Sequence, residues 1–128
     1  MNDMRALVVD DSTAIRSYLR RILAGFGFEV VEAKNGREAL ERLQTGERFA
    51  VMLLDWNMPE MSGIDLLSHM RAEPAFNDIC VMMVTTETEV SEVCSALNAG
   101  ANEYVMKPFT PEIIEEKLQL LGFPLAAA

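Results

Sequence analysis

Four short apolar runs each end in a polar cluster, and the clusters together hold the residue types of phosphoryl-group chemistry. Asp10-Asp11-Ser12 follows Ala6-Leu7-Val8-Val9, and Asp55-Trp56-Asn57-Met58-Pro59 follows Ala50 to Leu54. Thr85-Thr86-Glu87 follows Ile79 to Val84, and Lys107-Pro108-Phe109 follows Tyr104-Val105-Met106. Carboxylates drawn into one cleft repel one another by about 4 kcal/mol per pair ~4 Å apart near a protein surface. A divalent cation and a lysine are the natural counterweights. The available donors are hard oxygens, with no cysteine and no nearby histidine, which favours Mg²⁺ over zinc or copper. A metal, Lys107 and the Thr85 hydroxyl would hold the oxygens of a phosphoryl group, and one carboxylate could serve as its nucleophile. Asp55 is assigned that part because it follows a strand directly and opens a loop. Asp10 and Asp11, one connection away, suit the metal.

These clusters need a scaffold that brings them to one place. The apolar runs are short, continuous and rich in Val, Leu and Met, as strands covered on both faces are. They predict strands near 5–10, 28–32, 49–54, 79–85 and 103–107. Between them lie amphipathic patterns. Ile15, Leu19, Ile22 and Leu23 mark a helix near 13–24, and Ala39, Leu40 and Leu43 one near 36–44. Ile64, Leu67 and Met70 line a third, Val90, Val93, Cys94 and Leu97 a fourth, and Ile113, Ile114, Leu118 and Leu121 the last. Gly25, Gly27, Gly100 and Gly122 stand where helices stop. Asn35 with Glu38 reads as a reciprocal cap, and Thr110-Pro111-Glu112 as a helix start. Strand–helix alternation of this kind implies an α/β fold, a parallel sheet with helices on both faces. Ligands of such a sheet bind outside the carboxyl ends of its strands, where the polar clusters stand. If the first and third strands are neighbours, Asp10, Asp11 and Asp55 converge.

Composition narrows the classes. The chain has 128 residues, 50% of them hydrophobic and 24% charged, with net charge −9. That length suits one domain, and nothing reads as a linker, so residues 1–128 are taken as a single unit. The acidic balance argues against nucleic acid and against an anionic membrane surface. Cys80 and Cys94 are too few for a disulfide framework and fall in apolar segments, so packed, reduced thiols are expected. No apolar stretch reaches the ~18 residues of a membrane span, and the N-terminus lacks a signal-peptide pattern. A cytoplasmic protein is expected.

Each cluster taken alone has a plainer explanation. Asp10-Asp11-Ser12 could cap a helix, Asp55 could sit in a turn before Met58-Pro59, and Thr86 with Glu89 fits a capping box. Lys107 could be a solvated strand end. Arg16, Arg20 and Arg21 read as a solvated helix face, Trp56 as a partly exposed loop aromatic, His69 as a surface residue, and the nine methionines as core filler. The plain readings leave unexplained why the clusters gather at one edge of one sheet.

Val8-Val9-Asp10-Asp11-Ser12, Asp55-Trp56-Asn57-Met58-Pro59, Met61-Ser62-Gly63, Met83-Val84-Thr85 and Tyr104-Val105-Met106-Lys107-Pro108-Phe109-Thr110 follow one another along the whole chain. In this the sequence resembles the receiver domain of bacterial two-component response regulators, and most of all its single-domain chemotaxis members. The resemblance implies a flavodoxin-like (CheY-like) fold with five parallel strands in the order 2-1-3-4-5 and five helices. It implies that Asp55 accepts phosphate from a sensor histidine kinase and that Asp10, Asp11, Asp55 and the Asn57 carbonyl hold Mg²⁺. It implies that Lys107 contacts the phosphoryl group, with a cis bond to Pro108, and that Thr85 and Tyr104 switch. The face of the fourth helix, fifth strand and fifth helix would then change its affinity for a protein target, such as a flagellar motor switch. Asn57 and Glu87 stand at positions that tune dephosphorylation, implying a short-lived phosphoryl group. Thr86 departs from the alanine of the well-known chemotaxis regulator and could narrow access beside the phosphate. The resemblance is to a monomeric signalling protein, not an enzyme, that assists its own phosphorylation and dephosphorylation.

Other functions fit less well. A haloacid-dehalogenase-type phosphatase wants a second aspartate where Asn57 stands, and a cap domain. A flavodoxin wants a Ser/Thr/Gly-rich phosphate loop where Asp10 and Asp11 stand. Within the family, a phosphorelay intermediate or a stand-alone receiver acting on a non-flagellar target remains the alternative.

Overall fold

The structure is a computed structural model that describes residues 4–86 and 90–125, the side chain of Val90 excepted. The strands are β1 (Arg5–Val9), β2 (Glu29–Ala33), β3 (Val51–Leu54), β4 (Cys80–Thr85) and β5 (Glu103–Met106). The helices are α1 (Thr13–Gly25), α2 (Gly36–Gln44), α3 (Gly63–Arg71), α4 (Val90–Asn98) and α5 (Pro111–Leu120). One turn of 3₁₀ helix at Pro74–Phe76 was not anticipated. The strands form one parallel sheet in the order β2-β1-β3-β4-β5.

The two-residue period of the strands explains why the apolar runs are continuous: successive residues serve opposite faces. Leu7, Val9, Met52, Leu54, Val81 and Met83 pack with Ala39, Leu43, Leu66, Leu67, Met70 and Ala96 of α2, α3 and α4. Ala6, Val8, Val51, Leu53, Met82, Val84 and Val105 pack with Leu19, Leu23, Ile114 and Leu118 of α1 and α5. Burial is complete in β3, complete beyond the first residue in β1 and β4, and weaker at the edges. Val30 and Val31 of β2 are half-buried, and Met106 at the end of β5 is 43% exposed.

Several sequence expectations need correction. The apolar face assigned to α4 is rotated: Ala96 is buried and Val93 half-buried, while Cys94 and Leu97 are exposed. Ala96 joins the core cluster, and Leu97, a helical step of about 100° away, is thereby turned outward. Ile113 is likewise exposed beside buried Ile114. Cys94 is therefore not a packed thiol, and Cys80 is half-buried. The predicted cap at Asn35 forms, since its side chain accepts the Glu38 N–H at 2.8 Å. Glu38, however, reaches the N–H of Lys34 at 2.9 Å rather than that of Asn35. Thr110 caps α5 by accepting the Ile113 N–H at 3.3 Å.

Candidate functional site

The period that sends Ala6 and Val8 to the α1/α5 face carries Asp10 next. It likewise carries Val51 and Leu53 to Asp55, and Val105 to Lys107. All three thus leave the sheet toward one side of its carboxyl rim. Because β1 and β3 are neighbours, Asp10, Asp11 and Asp55 come together, and each offers a carboxylate oxygen within 4.8 Å of the others. Asp10 and Asp55 are buried, at 1% and 6% exposure, while Asp11 is exposed.

Lys107 lies two strands from β3, about 10 Å at ~4.8 Å per strand, so only a long side chain can cross the end of β4. It does so. Its Nζ stands 2.9 Å from Asp10 Oδ2 and 3.6 Å from Asp55 Oδ1. The reading of Lys107 as a solvated strand end fails, since its side chain is only 16% exposed. The Lys107–Pro108 bond is cis. The Lys107 N–H donates to the Thr85 carbonyl at 2.8 Å, and Thr85 is fully buried at the end of β4.

The first loop is tightly tied. The Asp10 N–H donates to Ala33 O at 3.2 Å, and Asp10 Oδ1 accepts the Ser12 N–H at 2.9 Å. Ser12 also caps α1 by accepting the Ile15 N–H at 3.3 Å, so the plain capping role and the acidic site coexist. Burial raises the Asp55 pKa first and the charge of Asp10 second, with Asp11 adding to the push. Lys107 and a hydrogen bond from the Asn57 backbone oppose it, and the carboxyl still ends up at about 6. One lysine therefore does not offset three carboxylates, and a divalent cation would complete the balance.

Two contributors were missed from sequence. Arg16 is not a solvated residue of α1, because its Nη1 donates to the Asp10 carbonyl at 2.6 Å. Gly63 begins α3 against the Asp55 loop, its N–H donating to Trp56 O at 2.9 Å. A Cβ there would overlap the Asp55 carbonyl oxygen and lie 3.0 Å from Trp56 Cα. The signal for Gly63 was present in Met61-Ser62-Gly63, where Ser62 caps α3 by accepting the Asp65 N–H at 3.2 Å. Of the remaining candidates, Asn57 and Thr86 are exposed, Trp56 is half-buried and Tyr104 is buried in the core. Glu87, and the Glu89 of the suggested capping box, lie outside the described residues.

The profile of the "Response regulator receiver domain" family matches residues 6–119. The chain belongs to that family. It is 45% identical over 119 residues to "Chemotaxis protein CheY1" of Helicobacter pylori strain J99, covering 92% of this chain and 96% of that protein. It is also 45% identical over 117 residues to a "Chemotaxis protein CheY homolog" of Campylobacter jejuni, covering 91% and 90%. Among solved structures, the chemotaxis response regulator CheY4 of Vibrio cholerae superposes with a TM-score of 0.87 at 35% identity. That match covers 94% of this chain and 99% of the other. The receiver fold and its strand order are those the resemblance implied. Among the described residues, no helix is long and apolar enough to cross a membrane.

Proposed function

We propose that this receiver domain is a phosphorylation-switched regulator in which Asp55 carries the phosphoryl group. A carboxylate oxygen of Asp55 attacks the phosphorus of a kinase phosphohistidine. The P–O bond forms as the P–N bond breaks, and the imidazole leaves with the electron pair. Lys107 lies beside the oxygen that attacks and beside Asp10, where it neutralises charge on the transferred oxygens. The donor set Asp10, Asp11, Asp55 and the Asn57 carbonyl fits Mg²⁺, which when bound supplies charge neutralisation for the transfer. The observation that carries the reading is the convergence of three carboxylates and one lysine at the rim.

Thr85, fully buried, reaches a phosphoryl group only by a shift at the end of β4, and Tyr104 packs in the same α2–α4 side of the core that would accommodate it. The coupled change would alter the face of α4, β5 and α5, where a protein target binds. The relatives' names speak of chemotaxis; a sensor histidine kinase as donor, a flagellar motor switch as target and a cytoplasmic site of action are this reading's extension of that. A single domain spanning residues 1–128 is part of this reading. Water attack on the phosphorylated Asp55 restores the carboxylate and releases phosphate, at a rate that the resemblance assigns to the residue types at Asn57, Thr86 and Glu87. A phosphorelay intermediate would instead keep its phosphate for many hours.

The test is mass spectrometry after loading with a small phosphodonor and Mg²⁺. One phosphoryl group is expected on Asp55, absent in Asp55→Asn and lost spontaneously well within hours. Mass on another residue would defeat the assignment. A beryllofluoride-dependent partner that persists in Asp55→Asn would defeat the switch.

A further inference from the structure

We propose that Arg16 is a positioning residue for the cation-binding carboxylates, acting through the Asp10–Asp11 peptide and held in place by Glu32. The proposal rests on the reading of Asp10 and Asp11 as metal ligands.

Three observations carry it. First, Arg16 is fixed to the loop at both ends: its N–H donates to Ser12 O at 3.0 Å, and its Nη1 donates to Asp10 O at 2.6 Å. That second bond is short and charge-assisted. Second, the bond acts on a particular peptide plane. The Asp10 side chain has its own ties, from the Ser12 N–H and from Lys107. Asp11 is exposed, and the direction in which it leaves the chain depends on the orientation of the peptide that Arg16 grips. Third, Arg16 is itself held. Its Nε donates to Glu32 Oε1 at 3.2 Å, and Arg20 takes Glu32 Oε2 at 2.8 Å. The Arg16 and Glu32 side chains are only 14% and 26% exposed. The two arginines also keep the Glu32 carboxyl below its usual value, the Arg20 hydrogen bond contributing most.

Geometry and charge make opposite predictions, which makes the idea decidable. A guanidinium beside a cation site repels the cation, so if Arg16 were merely a nearby charge, its removal would tighten Mg²⁺ binding. If it positions Asp11, its removal weakens binding. Partners that orient metal ligands from behind are worth ~10–100-fold in affinity.

The experiment is Mg²⁺ titration followed by the fluorescence of Trp56, the single tryptophan and the neighbour of Asp55. It is paired with thermal melting in EDTA and in Mg²⁺. Arg16→Met is expected to raise the Mg²⁺ Kd about tenfold and to shrink the Mg²⁺-induced rise in Tm. A purely scaffolding role would lower both melts equally and leave that rise intact. Arg16→Lys should recover part of the affinity. Glu32→Gln should weaken binding in the same direction but less, and the double variant should be no worse than Arg16→Met, as expected for residues acting in series. Should Arg16→Met fail to fold, Arg16→Lys and Glu32→Gln still decide the matter. Unchanged or tighter Kd in the folded variants, with normal wild-type binding, overturns this proposal alone. Absence of saturable Mg²⁺ binding in the wild type overturns the metal reading and this proposal with it.

Discussion

At the amino end of the sheet, Arg71 donates to the carbonyls of Gly100, Phe76 and Ile79 at 3.0, 3.1 and 2.8 Å and to Asn102 Oδ1 at 3.0 Å. Gly100 stands at φ 113, and a Cβ there would come within 2.6 Å of Arg71 Cγ. Nearby, Arg5 pairs with Glu29 and Glu47 and lies 5.0 Å over the Phe49 ring. At the carboxyl end, Asp10, Asp11 and Asp55 cluster and only Asp10 and Asp55 meet Lys107, and Asp55 is driven up to about 6 by burial and by Asp10. Each rim gathers charge from strands and loops distant in sequence. The amino rim sets its arginines against carbonyls and carboxylates and so holds the fold. The carboxyl rim is left with excess negative charge, the condition for binding a cation and carrying a transferable group. Stability and function have been assigned to opposite ends of one sheet.

The severest challenge to that contrast is Arg71→Ala. It strands several backbone carbonyls behind α3 and should cost about 3 kcal/mol in urea unfolding, while the folded protein keeps its Mg²⁺ affinity. A loss under about 1 kcal/mol, or weakened Mg²⁺ binding, would break the comparison.

Asp55→Asn should act in the opposite sense. Removing a buried like charge should stabilise the metal-free protein by about 2 kcal/mol at neutral pH, read by urea unfolding in EDTA, and Mg²⁺ should no longer add stability as it does to the wild type.

The pH dependence sharpens the contrast further. The folded Asp55 pKa of about 6 exceeds its ordinary 3.8, so between these values the folded state binds more protons than the unfolded one. Metal-free stability attributable to Asp55 is therefore full below 3.8 and lost as pH rises through about 6. Glu47 at the other rim is held below 4.5, chiefly by its hydrogen bond from Arg5. Its contribution is present above 4.5 and lost as pH falls through its folded value. Unfolding free energy measured from pH 3 to pH 8 should show the Asp55 slope vanish in Asp55→Asn, and the Glu47 slope vanish in Glu47→Gln.

The smallest effect concerns strain beside the acidic site. Glu60 stands at φ 70, and the Met61 N–H donates across it to Pro59 O at 2.8 Å, a tight turn of the positive-φ kind. Glu60→Gly should stabilise the protein by up to ~1 kcal/mol, measured by thermal melting, with no change in phosphorylation of Asp55. Destabilisation would show that Glu60 makes contacts worth more than its backbone strain.

The five strands were legible because central parallel strands must be apolar on both sides, and the acids and Lys107 were legible because polar residues ending such runs stand out. What sequence missed shares one cause: it depends on partners far along the chain. The face of α4 was read one step away, at Leu97 rather than Ala96, because both fit helical spacing and only the sheet selects between them. Arg16 looked like its solvated neighbours Arg20 and Arg21, for nothing local says that Asp10 O and Glu32 wait across the α1–β2 corner. Arg71 stood in the last turn of α3 with no hint that Gly100 and Asn102 would meet it.

The order of local elements, the helix starts at Ser12, Asn35 and Thr110, and the identity of the acids and Lys107 at the strand ends were determined by sequence alone. These follow from short-range periodicity and from side chains bonding their own neighbourhood. The tertiary structure alone decided that Lys107 crosses the end of β4 to two aspartates, that Asp55 is pushed toward neutral pH, and that Arg16 faces the loop. Burial and charge–charge proximity are properties of three-dimensional separation, which no spacing along the chain encodes.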